Sequence, residues 1–164
     1  MEIITLENVF LFFPLVTHIG TMFLFRKKLK SINKTEKYCF HWFLFNCFTI
    51  HLFLDYFCGL VGVNSFLYKE YYRLDKRYFN REPVVVYITL VEAFVMAPLC
   101  FSTCLTIVFS RKRVKSFLMI VTSVLQIIGT ISFSANAISR NFVDICKDSC
   151  FKFDFENIFF FWIF

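Results

Sequence analysis

The sequence predicts an all-α protein, a polytopic membrane helical bundle. Of its 164 residues, 58% are hydrophobic, and the mean hydropathy of +0.62 is too high for a typical soluble domain. The chain has only 4 Gly and 3 Pro residues, which favours long uninterrupted helices. Four apolar stretches are near or above the roughly 20 residues that a helix needs to cross a bilayer.

The predicted transmembrane helices follow one another with short connections. They run approximately over residues 9–25, 39–63, 84–109 and 117–138. Basic residues follow the first stretch instead of preceding it, so we interpret it as a transmembrane helix and not as a signal peptide. The apolar end, residues 158–164, is too short to span and indicates either the start of a fifth helix or an interfacial segment. We expect one domain over residues 1–164.

The net charge of +6 comes from short basic runs between the apolar stretches. The runs after the first and third helices, at 26–37 and 111–115, fall on one side, which the positive-inside rule makes cytoplasmic. The basic connection at 64–83 argues against this orientation. Such runs typically contact anionic headgroups, so we expect a bilayer partner and no nucleic-acid partner. A homodimer is left open.

The seven cysteines show no tight metal-binding pattern. Five lie in apolar stretches, where cysteine behaves as a small hydrophobic residue. Cys146 and Cys150 lie in a polar segment, where a disulfide and two free thiols are both open. The sequence therefore predicts no metal site.

Costly polar residues lie inside the apolar stretches. His51 and Asp55 are four residues apart and share one helix face, and Glu92 lies in the next apolar stretch. A carboxylate near the middle of a transmembrane helix costs roughly 2.5–3.5 kcal/mol on insertion scales. Intramembrane groups of this kind commonly mark a functional site.

The depths of these residues along their helices coincide. Asp55 and Glu92 each lie about eight residues from the same end of their helices, or roughly 12 Å deep. Thr130 comes near that depth on the fourth helix, while His51 and Gln126 lie one turn deeper. The sequence therefore predicts one shared polar layer, which can hold a proton, donate it to one atom and accept one from another. Ordinary interhelical hydrogen bonding is the alternative.

Five short motifs occur in order from about residue 38 onwards. They are IHLFLD at 50–55, YKEYYRLDKRY at 68–78, APL at 97–99, SVLQIIG at 123–129 and FW at 161–162. The first resembles an Ile-His-x-x-x-Glu helix, and the second resembles a Trp-Lys-Glu-Tyr stretch that leads to an Asp and an Arg-Tyr pair. The third resembles Gly-Pro-Leu and the fourth Ser-Val-x-Gln-Ile-x-Gly. The last resembles the start of a fifth helix. These are features of the emopamil-binding proteins, the Δ8–Δ7 sterol isomerases of the EXPERA superfamily.

The resemblance implies an endoplasmic-reticulum membrane enzyme that acts on a sterol or sterol-like molecule. Such enzymes move a ring double bond by protonating one face and removing a neighbouring proton, without a cofactor. The resemblance implies catalytic roles for His51, Asp55 and Glu92. The residues expected to contact the substrate are Thr89, Gln126, Thr130 and Trp162.

The chain departs from the family pattern at these positions. Asp55 stands where the isomerases have Glu, and Thr130 replaces an Asp. The isomerases have Glu-x-x-Thr on this helix, whereas this chain has the reverse order, Thr89 and then Glu92. The reversal moves the carboxyl about 4–5 Å along the helix. These departures leave open a non-catalytic sterol- or amine-binding protein like the sigma-two receptor branch. Transport by a proton relay is a third function, although no repeat is visible.

Overall fold

The computed structural model describes residues 9–109 and 112–141, and the elements in this part are helices, as predicted. We label them α1 (Phe13–Ser31), α2 (Lys34–Val61), α3 (Ser65–Leu74), α4 (Lys76–Phe79), α5 (Pro83–Val108) and α6 (Lys112–Ser139). The predicted helix at 158–164, with Trp162, and the cysteines Cys146 and Cys150 lie outside the described residues.

Three of the described helices, α2, α5 and α6, are long and apolar enough to cross a membrane. They correspond to the predictions at 39–63, 84–109 and 117–138. Helix α1 differs from the predicted span at 9–25 because its last turns carry Arg26, Lys27, Lys28 and Lys30. Its apolar part, residues 13–25, provides roughly 20 Å of helix, so the fourth full span stays a prediction.

Capping residues set the ends of α2 and extend it beyond the apolar stretch. The Asn33 side chain accepts a hydrogen bond from the Glu36 N–H at 2.9 Å, so the helix begins among polar residues at Lys34. Gly62 ends it with a φ of 75°, in the left-handed region. The Gly62 and Val63 N–H groups both bond to the Phe57 carbonyl, the second at 2.9 Å, which satisfies this carbonyl at the end of the helix.

Two segments of the long helices are π-helical: Asn46–Val61 in α2 and Glu92–Met96 in α5. In α5 this segment ends two residues before Pro98, which has no N–H to offer the carbonyl four residues earlier. The ladder instead uses the bond from the Ala97 N–H to the Glu92 carbonyl, five residues back. Such π-helical segments often occur at functional sites.

The buried core lies between the first half of α2 and the second half of α5, with the end of α1 against it. Buried residues of this core include Phe40, Leu44, Cys100, Cys104 and Ile107. Helix α6 packs on α5 and leaves most of its apolar side chains exposed. Its buried Thr122 is hydrogen-bonded to Thr103 of α5 at 3.2 Å, a polar link of the kind that joins membrane helices.

The connection at 64–83, predicted only as a loop, forms α3 and α4, and a buried ion pair holds it in place. Arg77, 1% exposed, contacts both carboxylate oxygens of Asp75, with its Nη2 2.6 Å from Oδ2. Its Nη1 donates to the Asn136 side chain at 2.8 Å and to the Phe133 carbonyl at 3.3 Å, both on α6. We call this end of the bundle, which carries α3 and α4, the loop end.

The opposite end carries the two basic runs, and we call it the basic end (residues 26–37 and 112–115). An ion pair between Lys115 of α6 and Glu36 of α2 joins the two runs. They therefore lie on the same side of the bundle, as the alternation of the helices predicts.

Arg77→Gln should lower the free energy of unfolding by about 3–5 kcal/mol, because it leaves the buried Asp75 carboxylate without its partner. Lys76→Gln is the matched control: this neighbour is exposed, and its removal should change stability by less than about 0.5 kcal/mol. Thermal unfolding of the full chain in detergent measures both. Equal unfolding temperatures for the two variants would contradict the structural role of Arg77.

Candidate functional site

Three polar side chains from two helices meet inside the bundle. One nitrogen of His51 and one carboxylate oxygen from each of Asp55 and Glu92 lie within 4.8 Å of one another. We call these residues the polar triad. His51 is 5% exposed, while Asp55 and Glu92 are half-buried. The triad lies in the two π-helical segments, so the unusual backbone and the costly side chains coincide.

The two ring nitrogens of His51 have different surroundings. The amide nitrogen of Gln126, on α6, lies 3.5 Å from His51 Nε2, a long hydrogen bond in which the amide donates. An amide nitrogen can only donate, so a neutral His51 that accepts this hydrogen bond carries its proton on Nδ1. His51 Nδ1 is buried without a hydrogen-bond partner in the described part of the chain, and Asp55 Oδ2 lies 3.9 Å from it. A buried donor in this state is uncommon and requires an explanation.

Tyr71 of α3 donates a hydrogen bond to Asp55 of α2. Its hydroxyl donates to Asp55 Oδ1 at 3.3 Å. Burial, and then the neighbouring Asp55, raise the pKa of Tyr71 well above its usual value. The phenol therefore keeps its proton at physiological pH and remains a donor to the carboxylate.

Tyr78 of α4 lies on the same side of the triad. Its ring meets that of Tyr71 edge-on, with centroids 5.1 Å apart, and the buried Thr89 lies beside it. Burial, and then the charges of Asp55 and Glu92, raise the pKa of Tyr78 well above its usual value. Two protonated phenols therefore border the two carboxyls.

A glycine lets these phenols approach α2. A Cβ added at Gly59 would lie 3.0 Å from Cε1 of Tyr78 and 3.3 Å from Cδ1 of Tyr71. Both distances are tighter than nine in ten real Cβ contacts, so the buried ring of Tyr78 and the partly buried ring of Tyr71 would each have to move by a few tenths of an ångström. The absence of a side chain at Gly59 therefore permits the present positions of both rings.

The other residues predicted to contact a substrate have different surroundings. Thr89 is 1% exposed and faces Tyr78, and Gln126 reaches His51. Thr130 is exposed and its hydroxyl donates to the Gln126 carbonyl of its own helix at 3.0 Å. Trp162 lies outside the described residues. The substrate-binding roles of these four residues stay predictions.

Tyr71 and Tyr78 are the neighbours of the triad that the sequence did not predict. Both belong to the 68–78 motif, so the motif itself was the available signal. Depth along a transmembrane helix could not identify them, because α3 and α4 lie in a connection.

The triad also forms a set of ligands that could hold a metal ion. Catalytic zinc sites are commonly built from three such nitrogen and oxygen ligands. The sequence predicts no metal because spacing along one helix relates only His51 and Asp55, and the third ligand comes from another helix. The geometry accommodates either a shared proton or a bound cation.

The family model described as EXPERA, the expanded EBP superfamily, matches residues 65–164, which is more than half of the chain. The chain belongs to the EXPERA superfamily. Membership indicates a sterol-related membrane protein with several spans, and the match does not distinguish a particular member. No curated protein and no solved structure matches the chain significantly. The EXPERA match includes Tyr71, Glu92 and Gln126. His51 and Asp55 precede the matched range, and the structure brings the three matched residues close to them.

Gly59→Ala should lower the free energy of unfolding by about 1–3 kcal/mol, because the added methyl group displaces Tyr71 and Tyr78. Gly129→Ala is the matched control. Its added Cβ would meet nothing within 4 Å, so the substitution should raise helix stability by about 0.5–1 kcal/mol. Chemical or thermal unfolding measures both, and a neutral Gly59→Ala would refute the close approach.

Proposed function

We propose that the chain is a sterol Δ8–Δ7 isomerase-like membrane protein that moves a ring double bond in an intramembrane pocket. The observation that carries the proposal is the meeting of His51, Asp55 and Glu92 within 4.8 Å. The EXPERA membership and the isomerase-like motifs support a sterol as the substrate. On this proposal the protein lies in the endoplasmic-reticulum membrane, and its substrate enters from the bilayer.

The proposed reaction needs one acid and one base, acting on two ring carbons that flank the same neighbouring carbon. A protonated member of the triad gives its proton to one carbon of the ring double bond, which leaves a carbocation on the other carbon. An unprotonated member removes a proton from the next carbon, and the electrons of that C–H bond form the new double bond. One proton enters and one leaves, so the reaction requires no cofactor.

The surroundings of the triad suit a positively charged intermediate. A carboxylate stabilises a nearby carbocation by its charge, and the faces of aromatic rings attract cations. Tyr71 and Tyr78 supply rings beside the carboxyls, and their phenols stay protonated. The amide of Gln126 lies 3.5 Å from His51 Nε2, and the other ring nitrogen, Nδ1, lies 3.9 Å from Asp55 Oδ2.

Expression of the chain in a yeast strain that lacks Δ8–Δ7 isomerase should convert Δ8 to Δ7 sterols, measured by sterol profiling. His51→Ala and Glu92→Gln should each lower conversion by about 100-fold or more, the usual contribution of a general acid or base. His18→Ala is the matched control, because His18 pairs with His41, at 3.1 Å, and not with the triad.

Accumulation of Δ8 sterol despite good expression of the unsubstituted chain would contradict the isomerase activity. Normal conversion by both triad variants would contradict the assignment of the site. A chelator added to isolated membranes separates proton from metal chemistry. Conversion of Δ8 to Δ7 sterol should continue in the presence of the chelator. If the chelator abolished conversion and added zinc restored it, the triad would be assigned to a metal ion.

The alternative is a non-catalytic binding protein, and the convergence of two carboxyls is the observation that favours it. In that case Asp55 and Glu92 would pair with the ammonium group of a sterol-like amine. Asp55→Asn and Glu92→Gln should each weaken binding of such an amine roughly 10- to 100-fold, the range for hydrogen bonds to charged groups. Glu82→Gln removes a carboxyl that pairs with Arg140 and should leave binding unchanged, as displacement of a labelled amine would show.

A further inference from the structure

A cleft at the basic end lies apart from the polar triad. Its volume is about 270 Å³, and its walls come from the end of α1 and the beginning of α2. The lining residues are Met22, Arg26, Leu29, Lys30, Lys37 and His41. One part of the wall is therefore apolar, and the other carries three cations with no carboxylate among them.

The three cations are available to an anion. Arg26, Lys30 and Lys37 make no ion pair with any residue in the described part of the chain. The nearby carboxylate of Glu36 is engaged by Lys115. Arg26 lies with its guanidinium carbon 5.0 Å from the centre of the Phe23 ring, which leaves its N–H groups free to donate to a ligand.

Exposed aromatic residues place the cleft at a membrane boundary. Tyr38 and Trp42 of α2 are 63% and 59% exposed; Tyr38 follows the lining residue Lys37, and Trp42 follows the lining residue His41. Tyrosine and tryptophan are enriched at the headgroup level of bilayers, where one part of the side chain is apolar and the other wet. The cations of the cleft then lie where lipid phosphates are found.

We propose that this cleft binds the headgroup of an anionic phospholipid. Arg26, Lys30 and Lys37 would contact its phosphate and other anionic groups, since basic pockets between membrane helices bind such headgroups. Met22 and Leu29 would contact the glycerol and the first acyl carbons. The partly buried His41, whose Nδ1 is hydrogen-bonded to His18, also lines the cleft.

The test uses the purified full-length protein in detergent, with native mass spectrometry of bound phosphatidylserine and of phosphatidylcholine with the same acyl chains. The lining variant is Arg26→Gln/Lys30→Gln/Lys37→Gln. The control variant is Lys27→Gln/Lys28→Gln/Lys34→Gln, which removes the same charge from the same segment at exposed residues that do not line the cleft.

The unsubstituted protein should retain phosphatidylserine in preference to phosphatidylcholine. The lining variant should lose about 100-fold in affinity for phosphatidylserine, since each basic residue near an anionic headgroup contributes roughly fivefold. The control should lose much less, because its three exposed side chains do not line the cleft and cannot contact the bound headgroup from within it. If the lining variant does not fold, Lys30→Glu, at one exposed residue, should give at least a fivefold loss.

Three results would overturn the proposal. Equal losses in the lining and control variants would show general surface attraction. Equal retention of the two phospholipids would show that the headgroup charge is not recognised. Displacement of phosphatidylserine by soluble glycerol phosphate at the same concentration would assign the cleft to a free phosphate ester and not to a lipid.

Discussion

The guanidinium of Arg77 lies almost completely inside the protein, and its hydrogen bonds reach both its own connection and α6. A planar guanidinium can do this because its donors point in fixed directions, two towards a carboxylate and others away from it. The ring of Phe133 lies 4.2 Å from its carbon. Since α6 buries little of its surface, this contact is one of the few polar links that fix its position at the loop end.

The candidate site depends on this ion pair through the residue that follows it. Tyr78 comes directly after Arg77, and its ring lies against Tyr71 and Gly59. The ion pair therefore holds two phenols beside Asp55 and Glu92 although neither phenol lies on a membrane-spanning helix. A site inside the bundle is in this way closed by a connection, and the connection is anchored to α6.

The sequence alone pointed to the three members of the triad. The free-energy cost of placing a charged side chain in a membrane and its depth along the helix can both be judged from each helix separately. His51 and Asp55 follow from their four-residue spacing, and Glu92 from its equal depth on the next helix. Depth does not give the direction in which a side chain points around its helix. For this reason Thr130, at a matching depth, is exposed in the structure, whereas the longer side chain of Gln126 reaches His51.

The helix ends and the π-helical segments were less accessible to prediction. The beginning of α2 at Lys34 depends on the Asn33 cap, while an apolar pattern marks only where hydrophobic residues start. Pro98 was visible in the sequence, but its effect on α5 depends on how the ladder re-forms around the missing N–H. Helix α3 was predicted as part of a loop because its polar residues mask a helix that begins after the Asn64 cap.

The exchanged order of Thr89 and Glu92 can now be related to the positions of their partners. Moving the carboxyl one turn along α5 carries it away from the membrane boundary, and His51 lies one turn deeper than Asp55 on α2. The displaced carboxyl therefore still meets both residues within 4.8 Å. Thr89, at the vacated position, is buried beside Tyr78. The exchanged pair thus places a carboxyl near the imidazole and a buried threonine beside the phenol.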